Sequence, residues 1–272
     1  MPGFHAKKSA RQEELRAIAS AEKLDLDENV SAVSLIFSAG ARPDTSAIRA
    51  LAASSGKFAV SYDPAELSGG DNGWIELLAS GLTFDVTGLK PGPPQLQPER
   101  VHLYGLSEQP DFPACEAITI TPGPHLSGGK VMFPVLRCLA WLGALLAELP
   151  QLRAVAWHPA RSWSEPVYFR SGVLRWIEGG VFPGLGLTAI VPTADGSLMS
   201  EGLAMFIGQE LVLAPAMARD RAEAAKIALR LVNWLVENGK ITETASMMGP
   251  SGEILRLQPE QNQQIIKVTA SS

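Results

Sequence analysis

The sequence predicts an α+β protein, a mixed and mainly antiparallel sheet or sheets with helices packed on one face. Three observations carry this. Short β-branched apolar runs are bounded by Gly and Pro, as strands are. Several stretches carry apolar residues at helical spacing. Adjacent strands occur near both the first and the last helix, so the strict alternation of a doubly wound parallel sheet is missing. The βαββ order at 32–86 and the ββαββ order at 201–257 also suit two ferredoxin-like halves.

Taken in order, residues 1–28 read as a mobile N-terminal arm with a weak helix around Gln12–Glu22. Ala32–Phe37 is an apolar β-branched run that suits a buried strand. Asp44 or Thr45 can cap a helix reaching Ser54, because a side-chain oxygen there satisfies an orphan N–H, and Gly56 ends it. Phe58–Tyr62 and Leu82–Val86 are the next strands, with Leu67–Gly73 a loop between them. Gly88–Pro98 holds four prolines in eleven residues and can form neither helix nor central strand. It divides a βαββ subdomain (29–98) from a main α+β domain (99–272).

In the second part, Ala117–Thr121 is a strand and Val131–Leu149 a long helix with a wide apolar stripe: Val135, Leu139, Leu142, Leu146 and Leu149, flanked by Cys138, Trp141 and Leu145. Leu152–Trp157 is a strand, Ser164–Glu178 a helix and Gly186–Val191 a strand. The turn Asp195-Gly196 leads towards Glu201–Ile207, and Leu211–Ala214 is a strand. Asp220–Asn238 is a helix buried along Ala225, Ala228, Leu229, Val232, Leu235 and Val236, and Gly239 closes it. Ile241–Ala245 and Glu253–Leu257 make a hairpin.

Composition narrows the function. A net charge of −5 and no basic run argue against a nucleic-acid interface. The N-terminus has no apolar stretch of the signal-peptide kind, and Val131–Leu149 is broken by Arg137 and Glu148, so a core helix is expected rather than a membrane span. A cytoplasmic protein follows, with Cys115 and Cys138 as reduced thiols, although one long-range disulfide stays open. Four scattered histidines and no HExxH or HxH give no metal site, and no cofactor is expected.

The region from 117 to 258 resembles an uncharacterised bacterial domain-of-unknown-function family, the type catalogued as DUF four-two-six-one. Three features carry the likeness: a long helix running into Arg153-Ala154-Val155-Ala156-Trp157; the segment Glu201-Gly202-Leu203-Ala204-Met205-Phe206-Ile207-Gly208-Gln209-Glu210-Leu211; and a last amphipathic helix leading into Glu237-Asn238-Gly239-Lys240-Ile241. The family pattern then has Asp-Gly-His, where this chain reads Thr242-Glu243-Thr244-Ala245. The resemblance implies a bacterial protein with this order of elements and brings no activity.

Two loops are candidate sites. Gly123-Pro124-His125-Leu126-Ser127-Gly128-Gly129-Lys130 sits where a phosphate loop would, but Gly129 occupies the lysine position and Val131 follows Lys130, so the metal-binding hydroxyl is missing. A weaker version has free N–H groups at the helix start, with His125, Ser127 and Lys130, holding a phosphate or carboxylate. The plainer reading of the same residues is a glycine-rich turn that simply starts a helix, because most such turns bind nothing specific. In Trp157-His158-Pro159-Ala160-Arg161-Ser162-Trp163, His158 suits a general base and Arg161 an anion clamp, with the tryptophans as an apolar wall. The bland alternative is a surface loop with a hydrogen-bonded histidine. If the strands at 117–121 and 152–157 run parallel, both loops open at one edge. The expected function is therefore a binding or interaction module, either homodimeric or with an unknown protein partner. The alternative is a small-molecule enzyme or anion-binding protein using His125, Ser127, Lys130, His158, Arg161 and Trp163.

Overall fold

A computed structural model describes residues 31–65, 73–106 and 115–271. The chain divides after Val30, and the described residues all belong to the unit beginning at Ser31. The expected N-terminal arm and all of the Leu67–Gly73 loop except Gly73 lie outside them.

Two sheets hold the unit. The first has eight strands, β1 (Val33–Ser38), β2 (Ala59–Tyr62), β3 (Trp74–Ala79), β4 (Leu82–Thr87), β5 (His102–Tyr104), β6 (Cys115–Pro122), β7 (Leu152–Trp157) and β8 (Ser162–Ser164), in the order β2-β3-β4-β6-β1-β7-β8-β5. The second has six, β9 (Ala189–Pro192), β10 (Leu198–Glu201), β11 (Glu210–Leu213), β12 (Ala245–Met248), β13 (Ile254–Glu260) and β14 (Ile265–Ser271), in the order β12-β13-β14-β11-β10-β9. All neighbours are antiparallel except β5 with β8 and β11 with β14. The helices are α1 (Thr45–Ser55), α2 (Phe133–Leu146), α3 (Pro166–Ile177), the single turns α4 (Gly184–Leu187) and α5 (Ala204–Ile207), and α6 (Arg221–Asn238). The α+β class is as the sequence predicts.

β1 is apolar apart from Ser34 and Ser38, because both its faces are covered. Val33, Leu35 and Phe37 join the main core, while Ile36 packs with Ala117, Ala154, Ala156 and Trp163 on the other face. The main core continues through the helices to Leu211, Leu255 and Val268 of the second sheet. α2 sits inside that core: ten of its residues from Val135 to Leu146 are buried, which explains its unusual apolarity without a membrane. Among the described residues, no helix is long and apolar enough to cross a membrane. α6 buries Ala224, Ala228, Leu231, Val232, Leu235 and Val236, so Ala224 and Leu231 replace the expected Ala225 and Leu229.

The caps follow local chemistry. The Asp44 carboxylate accepts from the Ala47 N–H at 2.9 Å, and Gly56 takes the left-handed conformation at the other end of α1. Asp220 caps α6 in the same way. The proline-rich stretch is stapled within the unit: the buried Arg42 guanidinium donates to Gly88 O and Gly92 O and pairs with Glu116 at 2.9 Å. Gln95 then continues the line of β4 along β6, its N–H donating to Ala117 O at 2.9 Å.

The internal repeat differs from the expected one. β1-α1-β2-β3-β4 and β11-α6-β12-β13-β14 share a βαβββ order, rather than the βαββαβ order of ferredoxin-like halves. In both, the last strand runs parallel to the first. β14 pairs with β11 directly, whereas β6 is inserted between β4 and β1.

Candidate functional site

β6 and β7 are both antiparallel to β1, so they run in the same direction on either side of it, joined by α2. The loops after them therefore open at one edge, flanking the start of β1. The Ser31 hydroxyl donates to Lys130 O at 3.2 Å, and the His158 N–H donates to Ala32 O at 3.2 Å.

The 123–130 loop spends its amides on itself. Leu126, Ser127, Gly129 and Met132 donate N–H bonds to Gly123 O, Pro124 O, Leu126 O and Gly129 O, at 2.8–3.1 Å. Pro134 removes another donor from the first turn of α2. Those four N–H groups are spent within the loop and cannot cradle an anion. His125 lies near Asp85, whose carboxyl is pushed above the ordinary range by burial and then by the facing Glu76, while His125 draws it down.

His158 turns inward. Its Nε2 is 2.9 Å from Ser34 Oγ, which lies 2.8 Å from Thr119 Oγ1. Burial holds its pKa down to about 4, so the ring is neutral at pH 7. A serine beside a neutral imidazole is the pairing that nucleophilic catalysis uses, but Ser34 is fully buried. Arg161 sits at φ 46° at the end of the turn. Its guanidinium pairs with Glu201 and, at 3.2 Å, with Glu99. Glu201 also lies 2.9 Å from His102 Nε2. Trp163 is buried in the smaller core with the Arg100 guanidinium 5.4 Å above its ring, and Trp157 stacks on Phe206.

The two loops are thus neighbours, while their side chains are engaged separately. His158 bonds to Ser34, Arg161 to Glu201 and Glu99, and Trp163 packs in a core. His125, Ser127 and Lys130 stay on the other loop.

The segment after Ser200 positions the carboxylate that Arg161 meets. Glu210 is half-buried and accepts from Ser200 Oγ, from Gly202 N at 2.9 Å and from Ala204 N at 3.0 Å. Burial outweighs these bonds and pushes its pKa up to about 7. Gly202, at φ 89°, lies against the 158–161 turn; a Cβ there would come within 3.0 Å of Pro159 O. The Gly, aromatic and acidic positions of this segment are therefore structural: Gly202 admits the turn, Phe206 stacks on Trp157, and Glu210 holds the bend that aims Glu201. Sequence reading misses Ser34, His102 and Glu201 as members of these networks, because each pairs across a long stretch of chain.

A concavity lies elsewhere, on the second sheet. It measures about 420 Å³ and is lined by Ala214, Ala216, Met217, Ile227, Glu253 and Ala270, with Thr269 beside them. Its origin is a mismatch of strand lengths. β11 pairs with β14 from Glu210 to Leu213, the Ala214 N–H adds one bond to Val268 O at 3.0 Å, and the chain then turns away at Pro215. β14 runs on to Ser271, paired with β13. Even-numbered residues of β14 direct their N–H and C=O towards β11, as the bond to Val268 O shows, so those of Ala270 point into the gap. Among the described residues no backbone group meets them.

No family model, curated protein or solved structure matches the chain.

Proposed function

We propose that this chain is a binding module that takes an extended stretch of a partner polypeptide into the gap beside β14. The observation that supports this most is the Ala270 N–H and C=O, directed at a mostly apolar concavity of about 420 Å³. An open strand edge beside an apolar pocket suits strand addition, in which main-chain bonds give affinity and the pocket gives specificity. The internal repeat supports the same reading, since in the first βαβββ unit the corresponding side of β4 carries the additional strand β6. The order and spacing of its motifs favour placing the chain with the uncharacterised bacterial family named above. Two free thiols suit a cytoplasmic setting.

The test is selection of displayed random peptides on the wild-type chain and on Ala216→Trp. Ala216 is exposed, so the tryptophan fills the gap without touching the core. Peptides that bind the wild type and lose roughly tenfold or more in affinity on the variant support the reading. Equal binding to both, or no binders, overturns it. Turnover in a broad substrate screen that vanishes in His158→Gln would favour small-molecule chemistry at the Ser34–His158 pair instead.

A further inference from the structure

Glu253 is the one charged residue lining the gap, among side chains that are otherwise apolar or hydroxyl-bearing. One of its oxygens, Oε2, accepts the Ser251 N–H at 2.9 Å, which folds the carboxylate over the β12–β13 turn and fixes its position. Oε1 takes no hydrogen bond from the described residues and lies over Gly249 of the same turn, where an added Cβ would collide with it, so one carboxylate oxygen keeps its accepting capacity beside the gap. A carboxylate held at the rim of an apolar pocket is partly shielded from water, and a cation placed there forms a charge-assisted bond stronger than one on an open surface.

The other walls set the remaining requirements. Ala214, Met217 and Ile227 leave space for a small or flexible apolar side chain, with the methionine able to adapt its shape. Ala270 follows Ile266 and Val268 in the inward-facing row of β14, and unlike them it is exposed. The core beneath that row runs out of cover at this point.

We infer that the occupant is an extended peptide with a basic side chain facing Glu253 and an apolar one over Met217 and Ile227. This rests on the strand-addition reading and adds the partner's chemistry to it. The chain's net charge of −5 adds long-range attraction for a basic segment.

Two capped heptapeptide probes test it, identical alternating Thr-Val sequences with a central Lys or a central Glu, titrated against the full chain by calorimetry. The Lys probe is expected to bind roughly tenfold tighter than the Glu probe, and Glu253→Lys to reverse that order. Glu253→Gln keeps an acceptor for the Ser251 N–H while removing the charge, and is expected to equalise the two probes. Equal binding of both probes to the wild type, still abolished by Ala216→Trp, overturns the charge preference and leaves strand addition standing. Binding of neither probe overturns both. Self-association of the wild-type chain that Ala216→Trp removes, seen by sedimentation, would make the occupant a second copy and overturn the basic-peptide assignment.

Discussion

His158 and Ser34 are joined side chain to side chain, Nε2 to Oγ at 2.9 Å, although Ser34 lies in a strand that otherwise reads as a continuous apolar run. The pair continues to Thr119 on the neighbouring strand and gives a small polar network inside the first sheet. Buried polar groups of this kind persist when they are mutually satisfied, and they fix register and side-chain orientation.

The pH dependence of stability follows from two half-buried groups with opposite signs. His158 is held at about 4, below its ordinary 6.5, so its contribution is complete above pH 6.5 and is lost as pH falls through 4. Glu210 is held at about 7, above its ordinary 4.5, so its contribution is complete below pH 4.5 and is lost as pH rises through 7. Each is worth up to about 3 kcal/mol, and in the wild type they largely offset each other between pH 4.5 and 6.5. Urea unfolding across that range checks this. His158→Gln should lose stability as pH rises, Glu210→Gln should gain it, and parallel profiles for all three proteins would contradict the assignment.

Gly202→Ala should destabilise the chain by about 2 kcal/mol. The residue sits at φ 89°, and its added Cβ would meet Pro159 O at 3.0 Å and the Ala160 Cβ at 3.1 Å. Thermal unfolding gives the magnitude. The same variant should disturb the Glu201–Arg161 pairing, visible as a shift of the His102 ring signals by NMR.

Gln209 is buried and acts as a three-way clip: its amide donates to Ile241 O and Gln263 O at 2.9 Å and accepts the Ile241 N–H at 2.8 Å. Gln209→Ala leaves three backbone groups short of a partner, so a loss of about 3 kcal/mol is expected in chemical denaturation. Gln209→Glu should cost at least as much, because it puts an unpaired charge beside two carbonyls.

Arg42→Met tests whether the proline-rich stretch is held as a structural part of the first sheet. The buried guanidinium meets Glu116 and the carbonyls of Gly88 and Gly92. Its removal should cost about 3 kcal/mol and speed amide exchange around Gln95, leaving α6 unaffected.

Local chemistry was legible in the sequence wherever it decides structure. Asp44, Gly56 and Asp220 mark helix ends as read, and the apolar periodicity of α2 and α6 places both in the core. What failed was pairing at a distance. β3 reads as helix or strand equally well, since Trp74–Ala79 has apolar residues at mixed spacing. β5 and β8, three residues each, are too short to show a period; β8 becomes a strand by pairing with β7 and β5 by pairing with β8. β14 is rich in β-branched residues, but its pairing with β11 spans a long stretch of chain, and the βαβββ repeat shows only through that pairing. The expected strand at 186–191 starts later, because Gly186 takes φ 112° inside a turn. For the candidate site, sequence reading found two loops that do share an edge. It did not show that Arg161 and His158 have internal partners, because Glu201 and Ser34 lie far along the chain.

Backbone amide exchange of the full chain with and without a selected peptide tests the central claim most directly. The account predicts that the Ala270 amide exchanges rapidly in the free chain and becomes strongly protected on binding, while amides at 123–130 and 158–161 keep their rates. Protection appearing at those two loops, with Ala270 unchanged, would contradict it and move the site to the edge where β1 begins.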